Sequence, residues 1–344
     1  MNISVFGSGA WGTAIALHMR RNGYDVTLWT KFEEEAALLR DRRENPLLGG
    51  VQIPEDIRIT SDIIDAVRGA GAAMIAVPSF AVRETAEALR GKLADDCLAV
   101  CMSKGIEKDT SSLFTGIIRN ALGDRTQIAA VSGPTHAEEV ARCVPTGCVA
   151  ASEDIAVAEK VQAMLMNDYL RVYTSTDVIG VELGAALKNV IALCAGICDG
   201  LGYGDNTIAM LMTRGLAEIA GLCVKMGGRK ETLAGLTGLG DLIVTCMSRH
   251  SRNRRAGILI GQGLSAEDAM RQVGAVVEGY YAAKAAREMS VDMCVDMPIC
   301  CEAYRVLHEG KSPDVGMREL MSRSRKSEQE IGGEETGEER WVMA

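Results

Sequence analysis

Along the first half of the chain, short apolar runs alternate with stretches of helical periodicity. Asn2–Phe6 is apolar, Thr13–Arg21 has helical spacing, and Asp25–Trp29 is apolar again. Apolar runs of this length, bounded by glycine and polar residues, predict strands; the stretches between them predict helices. Further strands are expected at Ile57–Thr60, Ala72–Val77, Leu98–Met102, Ile128–Ser132, Gly147–Ala151 and Leu170–Tyr173. Helices are expected at Val82–Leu89, Ser112–Ala121 and Ile155–Met166. Such alternation implies a doubly wound, largely parallel sheet. After Val178 the strand pattern stops. Helical periodicity then runs through Gly180–Cys198, Thr207–Met226, Ala256–Gly261, Ala266–Arg271, Tyr280–Glu288, Ile299–Leu307 and Arg318–Met321. The expected architecture is an α/β Rossmann-like domain over residues 1–178 and an all-α domain over residues 179–322. Residues 323–344 are charged and poor in apolar side chains, the composition of a disordered tail.

The stretch Gly180–Gly200 is apolar almost all round at 3.6 residues per turn, which marks a buried core helix. It reads as too short and too interrupted to span a membrane. In its middle stands Lys188, followed by Asn189. Desolvating an ammonium costs several kcal/mol, so an interior lysine needs polar or anionic company or gives up its proton. Two readings are open: the stem packs and the head reaches water, or the ammonium faces a cleft and meets a ligand.

Composition narrows the function classes. A formal charge of −9 over 344 residues argues against nucleic acid as the main partner, so anionic ligands would need local basic pockets. The eleven cysteines form no C-x-x-C motif, and with four histidines a zinc site is not expected. They read as small core residues of a reducing cytoplasm. The N-terminus enters Ile3–Phe6 without a charged leader, so no signal peptide is expected.

Between the first strand and the first helix lies Gly7-x-Gly9-x-x-Gly12. Its first glycine makes the tight turn, the second lets backbone approach a pyrophosphate, and the third permits close helix–strand packing. The helix N-terminus adds N–H groups and partial positive charge. The ribose-reading position falls near Thr30-Lys31. No acid stands there to meet a 2′-hydroxyl until Glu33, whereas Lys31 could meet a 2′-phosphate. Ser103-Lys104-Gly105 and Ser132-Gly133-Pro134-Thr135 close the next two strands on the carboxyl edge, where doubly wound sheets bind ligands. His136 is either a general base or a polar loop residue. In Gly238-Leu239-Gly240-Asp241, the carboxylate could neutralise Lys188. Ser251-Arg252-Asn253 could hold a phosphate through a planar fork and short donors, or simply open a helix. Glu278, in Val276-Val277-Glu278-Gly279, is ambiguous by itself.

Taken in order, GSGAWGTAIA, SKGIE, SGPTHAEE, ELGAALKNVIAL, GDNTIAMLMTRGLAEI, GLTGLGDLIVTC, SRNRRAG, VVEGY and EGKSPDVGMRELM resemble the bacterial NAD(P)-dependent glycerol-3-phosphate dehydrogenase family, from residue 2 to about residue 321. The resemblance implies a 6-phosphogluconate-dehydrogenase-like helical domain and a homodimer. It implies NAD(P)H-dependent, reversible reduction of dihydroxyacetone phosphate to sn-glycerol 3-phosphate, which supplies phospholipid biosynthesis. It makes Lys188 the proton donor and acceptor. Lys104, Gly133, Thr135, Lys188, Asp241, Ser251, Arg252 and Asn253 then match substrate positions. Gly7, Gly9, Ala10, Trp11, Gly12, Lys31, Lys104, Ala137, Arg252, Val276 and Glu278 match cofactor positions. Lys31 stands where the family often carries a basic or imidazole side chain, which favours NADPH without excluding NADH. His136 replaces the family's usual aromatic, and Tyr203 a commonly small residue. A β-hydroxyacid dehydrogenase of similar build, also with a helix-borne lysine, is the rival enzyme; a non-catalytic NAD(P) sensor is the rival outside enzymes. The joint presence of Lys104, Lys188 and Asp241 speaks against the sensor, which needs no proton donor.

Overall fold

The computed structural model describes residues 1–108 and 110–328. Eight strands form one sheet: β1 (Asn2–Phe6), β2 (Asp25–Trp29), β3 (Arg58–Thr60), β4 (Ala70–Ile75), β5 (Leu98–Cys101), β6 (Gln127–Ser132), β7 (Thr146–Ala151) and β8 (Leu170–Ser175). Their order is β3-β2-β1-β4-β5-β6-β7-β8, and every pairing is parallel except β6 with β7. Both faces of the central strands are covered, and their alternation sorts side chains into two cores, whereas the edge strand β8 exposes Arg171 and Tyr173. Ile3, Val5, Leu28, Met74 and Val100 pack on one face; Phe6, Trp29, Ala73, Ile75 and Cys101 pack on the other.

The second half is helical. Its axis is the 23-residue helix Val178–Gly200, against which the helices Asp205–Lys225, Asp241–Met247, Arg252–Gly261 and Glu278–Asp292 pack. Asp177 fixes its start: the carboxylate accepts from the Gly180 N–H at 2.9 Å, the Arg229 N–H at 2.9 Å and the Thr232 hydroxyl at 2.5 Å. Small residues set the closest crossing. A Cβ at Gly257 would stand 2.0 Å from the Leu193 carbonyl oxygen, so the two backbones meet only because that position has no side chain.

This helix and Asp205–Lys225 are long and apolar enough to cross a bilayer, which corrects the expectation of a segment too short to do so. Packing, not length, makes Val178–Gly200 a core helix, with nearly nine-tenths of its most apolar window buried inside the protein. The helices Glu33–Arg42 and Asp241–Met247 were not legible in the apolar pattern. The first buries only Ala36 and Leu39, and the second follows an irregular five-residue turn, Leu236–Gly240. Within the segment 323–344, Arg323 and Lys326 pair with Asp296 at 2.7 and 2.8 Å. The rest of the expected disordered tail, 329–344, lies outside the described residues.

Candidate active site

The carboxyl edge of the sheet turns its loops toward the central helix. β1 is followed by Gly7, whose φ of +113° favours glycine; a Cβ there would also stand 2.6 Å from the Ala76 carbonyl oxygen. A Cβ at Gly12 would fall 1.8 Å from the Gly7 carbonyl oxygen, so this glycine lets helix Ala10–Arg21 sit against the turn. Beyond Gly9 itself and its chain neighbours, nothing lies within 4 Å of where a Cβ at Gly9 would stand. That open side and a helix start without a side-chain cap suit a pyrophosphate. Trp11 donates its indole N–H to the Met102 carbonyl at 3.0 Å, tying the loop to the end of β5. Ala137, which opens helix Ala137–Ala141, flanks the same core as Ala10 and Trp11.

Two residues beyond Met102, Lys104 crosses to the next strand's loop and to the helical lobe. Its Nζ donates to the Gly133 carbonyl at 2.7 Å, to Thr135 Oγ1 at 3.3 Å and to Asp241 Oδ2 at 2.9 Å. Lys188 reaches the other carboxylate oxygen, donating to Asp241 Oδ1 at 2.5 Å and to Thr245 Oγ1 at 2.7 Å. One carboxylate thus sits between two ammoniums. Lys188 is 5% exposed and Asp241 1%, so the snorkelling reading of Lys188 fails. Burial, then the Lys104 charge, lowers the Lys188 amine to about 8 against the pull of Asp241. Burial alone would raise Asp241, but the two lysines outweigh it and hold the carboxyl below its ordinary value. The cluster carries a net charge of about +1, suited to an oxyanion in a water-poor site.

The basic segment is placed less simply. Ser251 caps helix Arg252–Gly261, its Oγ accepting from the Arg254 N–H at 3.2 Å. The Asn253 amide donates to Asn189 Oδ1 at 2.9 Å and accepts from the Gly279 N–H at 2.8 Å, which leaves one amide N–H for a ligand. Arg252 is exposed, and its guanidinium makes no hydrogen bond or ion pair to a described residue. Glu278 follows Val276 and Val277 at the start of helix Glu278–Asp292; its carboxylate accepts from the Ser79 N–H at 3.4 Å, across the lobes beyond β4. Burial raises its pKa, opposed first by the hydrogen bonding to Ser79 and then by the Arg252 charge. Lys31 is exposed and pairs with Glu84 at 2.5 Å. Tyr203 donates to Asp314 Oδ1 at 3.2 Å and so braces helix Pro313–Met321. The His136 ring lies 6.3 Å from that of His250, and its Nε2 is sealed from solvent without a partner.

Thr245 was missed by sequence reasoning. It lies four residues after Asp241, one helical turn on, a relation visible only once Asp241–Met247 is known to be a helix. Glu182 was missed too: it accepts from the Thr115 N–H at 3.0 Å and from the Thr115 hydroxyl, joining the central helix to helix Phe114–Leu122 of the first lobe.

A glycine turn on the carboxyl edge of a doubly wound sheet, facing a buried, carboxylate-paired lysine from an all-helical lobe, defines a nicotinamide-dependent oxidoreductase of two lobes. Comparison with known proteins narrows the class. Residues 2–158 match the signature described as NAD-dependent glycerol-3-phosphate dehydrogenase N-terminus, and residues 177–318 the corresponding C-terminus. A glycerol-3-phosphate dehydrogenase [NAD(P)+] of Fusobacterium nucleatum subsp. nucleatum is 47% identical over 330 residues, covering 95% of this chain and 98% of that one. That of Moorella thermoacetica is 48% identical over 332 residues, covering 96% and 98%. The crystal structure of the glycerol-3-phosphate dehydrogenase of Coxiella burnetii superposes with a TM-score of 0.90 at 34% identity, covering 94% of this chain and 99% of that one. The chain belongs to the NAD-dependent glycerol-3-phosphate dehydrogenase family. Neither the β-hydroxyacid dehydrogenase nor the sensor reading is favoured by these relatives.

Proposed function

We propose that this enzyme reduces dihydroxyacetone phosphate to sn-glycerol 3-phosphate, reversibly, with NADPH or NADH, and so supplies the glycerophospholipid backbone. The observation that carries the reading is Asp241 held between Lys104 and Lys188. The nicotinamide cofactor, when bound, supplies the hydride that reduces the ketone carbon. Gly7, Gly9, Ala10, Trp11 and Gly12 would hold its pyrophosphate end, with Ala137, Val276 and Glu278 along its length. Lys31 would lie by its 2′-phosphate. The exposed Lys31–Glu84 pair is worth no more than about 1 kcal/mol, so that phosphate could displace Glu84, and NADH needs no such exchange.

Lys188 meets the ketone oxygen and gives it a proton as negative charge develops. A pKa of about 8 keeps the amine mostly protonated at neutral pH yet able to return as a base in the reverse direction. Asp241 holds the amine in place, and Lys104, supported by Gly133 and Thr135, adds the second positive charge. Arg252, with Ser251 and the remaining Asn253 N–H, would bind the phosphate, orienting the ketone through a group remote from it. A cytoplasmic homodimer agrees with the resemblance; the free state of all eleven cysteines suits a reducing compartment. The test is consumption of NADPH and of NADH with dihydroxyacetone phosphate, run beside 3-hydroxyisobutyrate oxidation. Turnover of the triose phosphate is expected; turnover of only the hydroxyacid would refute the reading.

A further inference from the structure

Near the lysine pair, most buried polar side-chain atoms have a partner. Lys188 and Lys104 share Asp241, Thr135 accepts from Lys104, Thr245 accepts from Lys188, and Asn253 donates to Asn189 and accepts from Gly279, keeping one N–H for the phosphate. Two buried atoms there have none among the described residues: Oγ of Ser132, which borders a small internal cavity with Ser103, Val181 and Glu182, and Nε2 of His136. Leaving a buried polar atom without a partner is unfavourable, because its lost hydration is not replaced. His136 directly follows Thr135 and caps helix Ala137–Ala141 with its backbone; its ring faces that of His250, two residues before Arg252. The ring therefore lies within reach of the Lys188, Lys104 and Asp241 charges and beside the segment that leads into Arg252.

We infer that His136 Nε2, uncovered by a turn of its partly exposed ring as the triose enters, is a hydrogen-bonding partner for the free hydroxyl of the triose, making His136 a specificity-determining residue. This rests on the function proposed above. The substrate has three polar parts. The ketone oxygen belongs to Lys188 and the phosphate to Arg252, Ser251 and the free Asn253 N–H, which leaves the substrate hydroxyl for His136 Nε2; Ser132 Oγ borders the internal cavity instead. A neutral imidazole can serve a hydroxyl as either donor or acceptor. Burial, then the charges of Lys188 and Lys104, hold the ring below its ordinary pKa against Glu138 and Asp241, so it is neutral at pH 7. An aromatic hydrocarbon at this position would fill the space but could not read the hydroxyl. A site built to bond a hydroxyl rejects the analogue that lacks it.

The test compares dihydroxyacetone phosphate with hydroxyacetone phosphate, which carries a methyl group in place of the hydroxymethyl. The wild type is expected to prefer the former in kcat/KM. In His136→Phe that preference should fall by roughly tenfold, the value of one hydrogen bond, through the hydroxyl-bearing substrate alone. His136→Gln, which keeps an amide, should restore part of it. NADPH affinity and melting temperature, measured on both variants, report the fold. If His136→Phe lowers kcat/KM equally for both substrates, or changes neither, the inference is overturned. A wild type inactive on dihydroxyacetone phosphate would instead overturn the function proposed above.

Discussion

Lys188 and Asp241 carry opposite burdens from the same burial. Taking the ammonium out of water favours its neutral form, while the carboxylate between two cations stays ionised. This has a measurable consequence for pH dependence. Reduction needs the protonated amine, so kcat/KM for dihydroxyacetone phosphate should fall as pH rises through about 8; oxidation needs the neutral amine and should rise through the same range. Asp241 raises the Lys188 pKa, so Asp241→Asn should move the falling limb to lower pH. An unmoved limb would detach it from Lys188. Arg252 tests the other end of the substrate. Arg252→Ala should raise KM for the triose phosphate by roughly tenfold or more, as expected when a charged hydrogen bond is lost, and steady-state kinetics with unchanged KM would contradict its role. At this scale the sequence was legible where a residue broke its local pattern. Lys188 declared itself by standing in an apolar helix, and Asp241 by following three glycines within six residues. Thr245 declared nothing, because a threonine in an apolar helix is ordinary.

The elements show why some of the fold could be read and some could not. Strands buried on both faces announce themselves as apolar runs, and these, with the half-exposed edge strand β8, were anticipated to within two residues at their starts. The direction of β7 was not, since an apolar run reads alike in both senses. The joints between lobes also lay beyond the pattern. Glu182 is one such joint, and its buried carboxyl is raised to about 7 from an ordinary 4.5. The folded state then binds this proton more tightly than the unfolded one, so its stabilising contribution is complete below the unfolded value and is lost as pH rises through about 7. Glu182→Gln removes that titration. Relative to wild type, the variant should gain stability between about pH 5 and pH 8, by on the order of 1–3 kcal/mol. Urea unfolding at both pH values measures it, and a constant difference would contradict the assignment. The Gly257 crossing gives a second case. Gly257→Ala would force the helices apart and should cost about 1–3 kcal/mol, the range for overpacking; an unchanged urea midpoint would show that the crossing can yield.

The molecule works as two lobes meeting at one carboxylate. The first offers a glycine turn and Lys104 from a sheet edge, and the second offers Lys188 and Asp241 from packed helices. The net charge of −9 is spread over the whole chain, yet the meeting point is positive. That separation was visible only in part from the sequence, which supplies the charges but not their neighbours. Family resemblance put the motifs in one site, whereas periodicity alone left Lys188 with two readings until burial decided between them. The most direct measurement is the turnover of Lys188→Ala, with NADPH binding followed separately by fluorescence. The amine acting as proton donor predicts that kcat drops by roughly 10²–10⁴-fold or more while NADPH still binds. Turnover close to wild type, with cofactor bound, would contradict the assignment.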